Sequence, residues 1–174
     1  EQYVMIDPHH LGQLVIMGCP QAQRPEDAWA QILKHQIEQG FIGGVILFRE
    51  NISSQSQTRE LVEFLQEAVP EELAPLLVTI DQEGGAVQRF SSQNGGIETP
   101  KAEDISDNMS PEEADSVYAT MAQSLASIGV NWNFGPVVDL KRGSPIIDGY
   151  GRSYGADVEQ VALYAKAFIK AHKK

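Results

Sequence analysis

Cysteine is nearly absent: Cys19 is the one example in 174 residues, so no internal disulfide can staple this fold. A solitary thiol is expected to pack as a small hydrophobe rather than to react. No CxxC, HExxH or clustered His/Cys spacing occurs, which argues against a structural zinc site. The histidines His9, His10, His35 and His172 stand away from the strand ends and read as structural or solvent-facing. Basic charge is also scarce. Thirteen Lys and Arg face 24 Asp and Glu, a formal net charge of −11, whereas nucleic-acid binding needs a basic surface. The same balance disfavours docking on anionic membranes. No apolar run approaches the roughly 20 residues of a membrane span; the longest, Val45 to Phe48 with its flanking glycines, is strand-sized. No leader segment is read at Glu1, and the compartment, cytoplasmic or exported, stays open. No Walker loop or GxGxxG follows the first strand, so nucleotide binding has little support.

The hydrophobic content of 42% suffices for one domain with a sizeable core, and strand and helix signals alternate through it. Gln13–Gly18 reads as a first strand. Pro25, Glu26 and Asp27 suit a first helical turn, Trp29, Ile32, Leu33 and Ile37 recur at helical spacing, and Gly40 is placed to stop that helix. Gly44–Phe48 is the second strand. Ser54 and Gln57 resemble a capping box before Leu61, Val62, Leu65 and Val69. Leu76–Ile80 is the third strand, and a polar linker from about Ser91 to Asn108 follows it. Ser110-Pro111-Glu112-Glu113 is a strong helix start, with Gly129 as the stop. Asn131–Leu140 reads as the fourth strand and its exit. After a loop rich in Gly and Pro, Asp157 and Gln160 open a helix carrying Val161, Ala165, Phe168 and Ile169. Alternating strands and helices predict an α/β fold with a parallel sheet and right-handed crossovers. Four βα units suit a small doubly wound sheet or half of an eight-fold barrel. A whole barrel needs roughly 200–250 residues.

Chemistry concentrates after the third strand, in Asp81-Gln82-Glu83-Gly84-Gly85-Ala86-Val87-Gln88-Arg89. Carboxyl ends of parallel strands are where ligand sites gather. Asp81 reads as a hydrogen-bonding ligand for a polyhydroxylated molecule, or else as a turn former. Glu83 could serve the site or form a salt bridge beneath it, and the two acids are expected to be directed apart rather than to form an opposed acid/base pair. Gly84-Gly85 allows a tight turn or a close approach to a ligand. Arg89 could pair with Asp81 or clamp a substrate oxygen. Arg152, among glycines and two tyrosines in Gly149–Gly155, suits a sugar-contacting loop. Asp139 and Asp148 could act as acids, but more often cap turns or pair with Arg142 and Arg152.

These residues resemble a known signature. Val78–Arg89 resembles that of glycoside hydrolase family 3, especially its bacterial β-N-acetylglucosaminidases. Gly43–Phe48 is similar to the family's second strand, Asn131–Asp139 to its fourth, and Gly151-Arg152-Ser153-Tyr154-Gly155 to its Arg-Ser-Phe-Gly loop. The resemblance runs through nearly the whole chain in order. It implies the amino-terminal half of a (β/α)₈ TIM-type barrel, truncated after the fourth βα unit, as one partial domain over 1–174. It implies retaining hydrolysis of terminal β-linked N-acetylglucosamine, with no metal or organic cofactor. Asp81, Arg89 and Arg152 would bind the terminal sugar, with Glu83, Gly84, Gly85 and Asp139 in support.

Two departures stand out. Ala86 occupies a position where the family commonly has arginine. The family's Lys-His-Phe-Pro-Gly-His-Gly segment, the histidine of its acid/base dyad and its aspartate nucleophile do not occur in these 174 residues. Retaining hydrolysis needs a nucleophile and an acid/base about 5–5.5 Å apart, so the chain by itself is expected to hold sugar without turning it over. The rival expectation is a non-catalytic half-barrel whose exposed strand edges pair two copies. A stand-alone flavodoxin-like domain is weaker still, for want of a phosphate loop.

Overall fold

The computed structural model describes residues 8–173. Its elements are α1 (Pro8–Gly12), β1 (Ile16–Gly18), α2 (Ala28–Glu38), β2 (Gly44–Leu47), α3 (Gln55–Gln66), β3 (Leu77–Ile80), α4 (Ala102–Asn108), α5 (Pro111–Ala126), β4 (Trp132–Asn133) and α6 (Val158–Ala171). The strand order is β1-β2-β3-β4. The chain divides into two compact units. One is the described part of Glu1–Ile80 with Ser127–Trp132; the other is the described part of Asp81–Ala126 with Asn133–Lys174.

In the first unit β1 pairs parallel with β2, Met17 opposite Val45, and β2 pairs parallel with β3, Val45 opposite Val78 and Leu47 opposite Ile80. Parallel neighbours require a crossover between them, and α2 and α3 supply it. Val45, Leu47, Val78 and Ile80 are fully buried with Leu33, Leu61 and Leu65, and with Thr79 buried on its opposite face the third strand is covered on both sides. Thr79 is buried in that core and its hydroxyl donates to Val45 O at 3.0 Å. Cys19 is buried too, and burial pushes its thiol up to about 12, which leaves it unreactive at neutral pH.

Several boundaries differ from expectation for local reasons. The first strand begins at Ile16 because Leu14 and Val15 turn back, donating to Leu11 O and Gly12 O. The second helix begins at Ala28, not at Pro25. The Asp27 carboxylate accepts from the N–H groups of Gln23 and Arg24, both at 2.8 Å, and so closes the preceding turn instead of capping the helix. Its buried face is Ala30, Leu33 and Ile37, while Trp29 and Ile32 are exposed. Gly40, at φ 66°, ends it as predicted. Ser54 caps α3 through the Gln57 N–H.

The fourth strand is two residues long, where ten had been read as strand and exit. Part of its expected ladder is replaced by a side chain: Asn131 Oδ1 accepts from Val78 N–H at 2.9 Å and Nδ2 donates to Leu76 O at 2.9 Å.

The second unit is built on α5 and α6. Tyr118, Met121 and Phe168 are buried between them, with the Tyr118 and Phe168 ring centroids 4.7 Å apart. At the predicted helix start Ser110 and Glu113 form a reciprocal capping box, Ser110 N–H to Glu113 Oε2 at 2.7 Å and Glu113 N–H to Ser110 Oγ at 3.3 Å. Asp157 caps α6 through the Gln160 N–H. Ile169, predicted for the buried face, is exposed. The stretch read as an unbroken linker contains α4, whose Ala102 and Ile105 are buried. Among the histidines, the side chain of His9 lies outside the described residues, and His10 and His35 are exposed.

Candidate functional site

Asp81 is the first residue after β3, and from it the second unit's charged cluster is built. Glu83 and Gly84 both donate to Val87 O, and Val87 donates back to Gly84 O, which makes a tight turn. Gly84 and Gly85 stand at φ 102° and 58°, where a side chain is strained. A Cβ on Gly84 would lie 2.3 Å from Pro100 O, and one on Gly85 would lie 2.5 Å from Lys101 Cβ. The predicted turn is therefore present. The close approach is to the protein's own 99–101 segment.

Arg89 Nη2 reaches Asp81 Oδ2 at 3.4 Å, with both side chains about a quarter to a third exposed. Arg152 grips Glu83 with two nitrogens, Nε to Oε2 at 2.9 Å and Nη2 to Oε1 at 2.7 Å. This fork is the more deeply buried pair, at 22% and 12% exposure. The two acids thus serve different arginines, as expected. An unbroken strand would put residues 81 and 83 on one face. The strand ends at Ile80, and the turn directs each acid separately. Both Glu83 oxygens accept from Arg152, which fixes the guanidinium against this carboxylate. Arg152 holds its proton more firmly than usual, first through the Glu83 hydrogen bonds and then through the charges of Glu83, Asp139 and Asp81. Arg152 thus lies within electrostatic reach of three carboxylates, one of which, Asp81, also holds Arg89. Together these residues present both kinds of hydrogen-bonding group a polyhydroxylated ligand needs: carboxylate acceptors and planar donors.

Asp139 is exposed, and its carbonyl accepts from Ser153 Oγ at 2.7 Å, next to Arg152. Asp148 takes the turn-capping alternative, accepting from Gly143 N–H. Behind the arginine loop the Tyr118 and Tyr154 hydroxyls are hydrogen-bonded at 2.7 Å, both residues buried. Burial pushes the Tyr154 phenol up to about 12 and that of Tyr118 higher still. Glu103 receives Lys101 and Lys141, and its N–H donates to Gly151 O at 3.1 Å, which fastens the loop just ahead of Arg152.

Sequence reasoning missed the polar groups beneath the cluster. Gln82, 1% exposed, accepts from the N–H groups of Arg89 at 2.7 Å and Phe90 at 3.2 Å and donates to Phe90 O at 2.6 Å. Asn133 clamps both backbone groups of Gln82. The one signal available was a glutamine wedged between two acids at a strand end.

Comparison with known proteins places these residues in a family. The profile of the glycosyl hydrolase family 3 N terminal domain matches residues 7–174. A beta-hexosaminidase of Pseudomonas aeruginosa (strain LESB58) is 36% identical over 141 residues, covering 80% of this chain and 39% of that protein. The structure of a glycoside hydrolase family 3 beta-N-acetylglucosaminidase from Paenibacillus sp. superposes with a TM-score of 0.85 at 29% identity, covering 98% of this chain and 31% of that one. NagZ from Neisseria gonorrhoeae, in complex with N-trifluoroacetyl-D-glucosamine, superposes with a TM-score of 0.77 at 29% identity, covering 91% of this chain and 46% of that one. The chain thus spans well under two thirds of each of these relatives. Among the described residues no helix is long and apolar enough to cross a membrane.

Proposed function

The chain belongs to glycosyl hydrolase family 3, as a match to its N-terminal domain over residues 7–174, and we propose that it supplies the sugar-holding wall of a glycosidase that removes terminal β-linked N-acetylglucosamine. The fold is α/β, of the parallel βα type found in the barrels of the family. The proposal extends to organisation: residues 1–174 are the amino-terminal part of one (β/α)₈ domain.

The observation that carries this reading is the pairing of Asp81 with Arg89 and of Glu83 with Arg152 within one cluster. Asp81 accepts from adjacent sugar hydroxyls. Arg89 and Arg152 donate to sugar oxygens or to the acetamido carbonyl, with Arg152 aimed by Glu83. Asp139 adds negative charge beside Arg152. Gly84 and Gly85 support the site by letting residues 83–87 pack on 99–101. With both Glu83 oxygens held by Arg152, Glu83 serves orientation, and the nucleophile and acid/base, as the family resemblance implies, are proposed to come from residues outside 1–174.

The test is hydrolysis of a chromogenic N-acetyl-β-glucosaminide by the full-length protein. Turnover should be present and should fall at least about a hundredfold in Asp81→Ala, the scale of a lost charge-assisted contact. The isolated 174-residue chain should show none. Turnover by that chain alone would contradict the division of labour, and an unaffected Asp81→Ala protein would contradict the wall. A second reading, pairing of two copies through the edge strands β1 and β4, follows from the strand order. Light scattering checks it, since a monomer at high concentration counts against it.

A further inference from the structure

The His172 ring lies flat on Phe168, centroids 4.2 Å apart and planes 13° apart. Its Nδ1 is 2.9 Å from Phe168 O. A carbonyl can only accept, so Nδ1 carries the proton. The other nitrogen, Nε2, is 3.1 Å from Asn133 Nδ2. The amide's orientation is not arbitrary. Its Oδ1 accepts from the N–H groups of Gln82 and Gly135, both at 3.1 Å, and its Nδ2 donates to Gln82 O at 2.8 Å. The second amide hydrogen has two acceptors in reach, the weak Met121 Sδ at 3.8 Å and Nε2 at 3.1 Å; the nearer nitrogen is the stronger acceptor and offers its lone pair. Every contact is satisfied by the neutral imidazole protonated at Nδ1. From there the hydrogen bonds continue without a gap: Gln82 Oε1 accepts from Arg89 N–H at 2.7 Å, and Arg89 reaches Asp81.

We propose that Asn133, held in this orientation by a neutral His172, is a positioning residue for Asp81 and Arg89, and through them for the sugar. The inference rests on the sugar-holding reading above. Asn133 touches no substrate. It fixes the peptide of Gln82, and the Gln82 side chain fixes the peptide of Arg89. Adding a proton to Nε2 would set two donors against each other. The amide could relieve that only by turning over, and its clamp on both backbone groups of Gln82 would be lost.

The surroundings favour the neutral ring. On its own element Lys170 is held by Asp115 of α5 at 3.8 Å, and Lys173 is exposed. From α5 the groups nearby are Met121 Sδ, 3.8 Å from the Asn133 amide, and Tyr118 against Phe168. The 133–135 segment contributes the amide itself. Burial, the largest influence on the ring, disfavours the charged form.

Three readouts test the proposal. Long-range ¹H–¹⁵N spectra of the full chain near neutral pH should show His172 protonated at Nδ1, with an unprotonated Nε2; protonation at Nε2, or an averaged mixture, overturns it. In His172→Phe, which keeps the stack on Phe168 but removes the acceptor, the backbone amide signals of Arg89 and Phe90 should shift, and unchanged signals overturn it. Affinity for N-acetylglucosamine, measured from about pH 7.5 to 5 across the histidine range, should weaken about fivefold, the scale of one hydrogen bond. The His172→Gln chain, which retains an acceptor but cannot titrate, should stay flat. Identical profiles for the two chains overturn the proposal. If no sugar binds at any pH while both spectroscopic results are as stated, the sugar-holding reading fails and the positioning of Asp81 and Arg89 stands.

Discussion

Removing the Tyr118 hydroxyl leaves that of Tyr154, 2.7 Å away and 2% exposed, with its hydrogen-bond partner lost. Tyr118→Phe or Tyr154→Phe alone should each cost about 1–3 kcal/mol. The double variant should cost clearly less than their sum, because removing both hydroxyls strands neither; urea unfolding of the four chains measures the coupling. His172 sets a second expectation at this scale. Its folded-state value lies below the ordinary histidine value of about 6.5, because burial penalises the charge. The unfolded chain therefore binds a proton that the folded chain resists. Stability contributed by the neutral ring is full above about pH 6.5 and is lost as pH falls toward the lower folded value. His172→Gln should flatten that segment of the unfolding profile. The same residues show what a sequence can carry. Asp81 stood out as a carboxylate directly after a strand, and Arg89 and Arg152 as arginines following or set among glycines. Gln82, Asn133 and His172 did not, since their roles depend on partners 51 and 39 residues apart.

At the scale of elements, the turn after β3 separates two reasons for glycine. Gly84 has φ 102° and its absent Cβ would meet Pro100 O at 2.3 Å, whereas Gly143 has φ 88° and nothing within 4 Å. Gly143→Ala should cost about 1 kcal/mol, from left-handed strain alone. Gly84→Ala should cost about 3 kcal/mol or more, as backbone must move as well. Equal costs would show that crowding by residues 99–101 is not what fixes the turn. The elements most legible in the sequence were those with a local cause. The helix start at Ser110–Glu113 and the third strand, read as Leu76–Ile80 and found at Leu77–Ile80, are both of this kind. Boundaries set by side chains acting at a distance were not legible. Asp27 delays α2 by binding backward, and Asn131 takes over pairing that a longer β4 would have made with its main chain.

At the scale of the molecule, the net charge of −11 coexists with a cluster whose two arginines are each neutralised by an acid. That arrangement suits an uncharged, hydroxyl-rich ligand better than an anion, for which no net positive field is available. The family match and the cluster chemistry both support the proposed sugar ligand. The most direct measurement is a titration of the 174-residue chain with N-acetylglucosamine, followed by ¹H–¹⁵N correlation spectra and side-chain guanidinium signals. Saturable shifts confined to Asp81–Phe90 and Gly151–Ser153, and lost in Asp81→Ala, are the expected result. Absence of saturable shifts in those segments, or shifts that persist unchanged in Asp81→Ala, would contradict the sugar-holding reading.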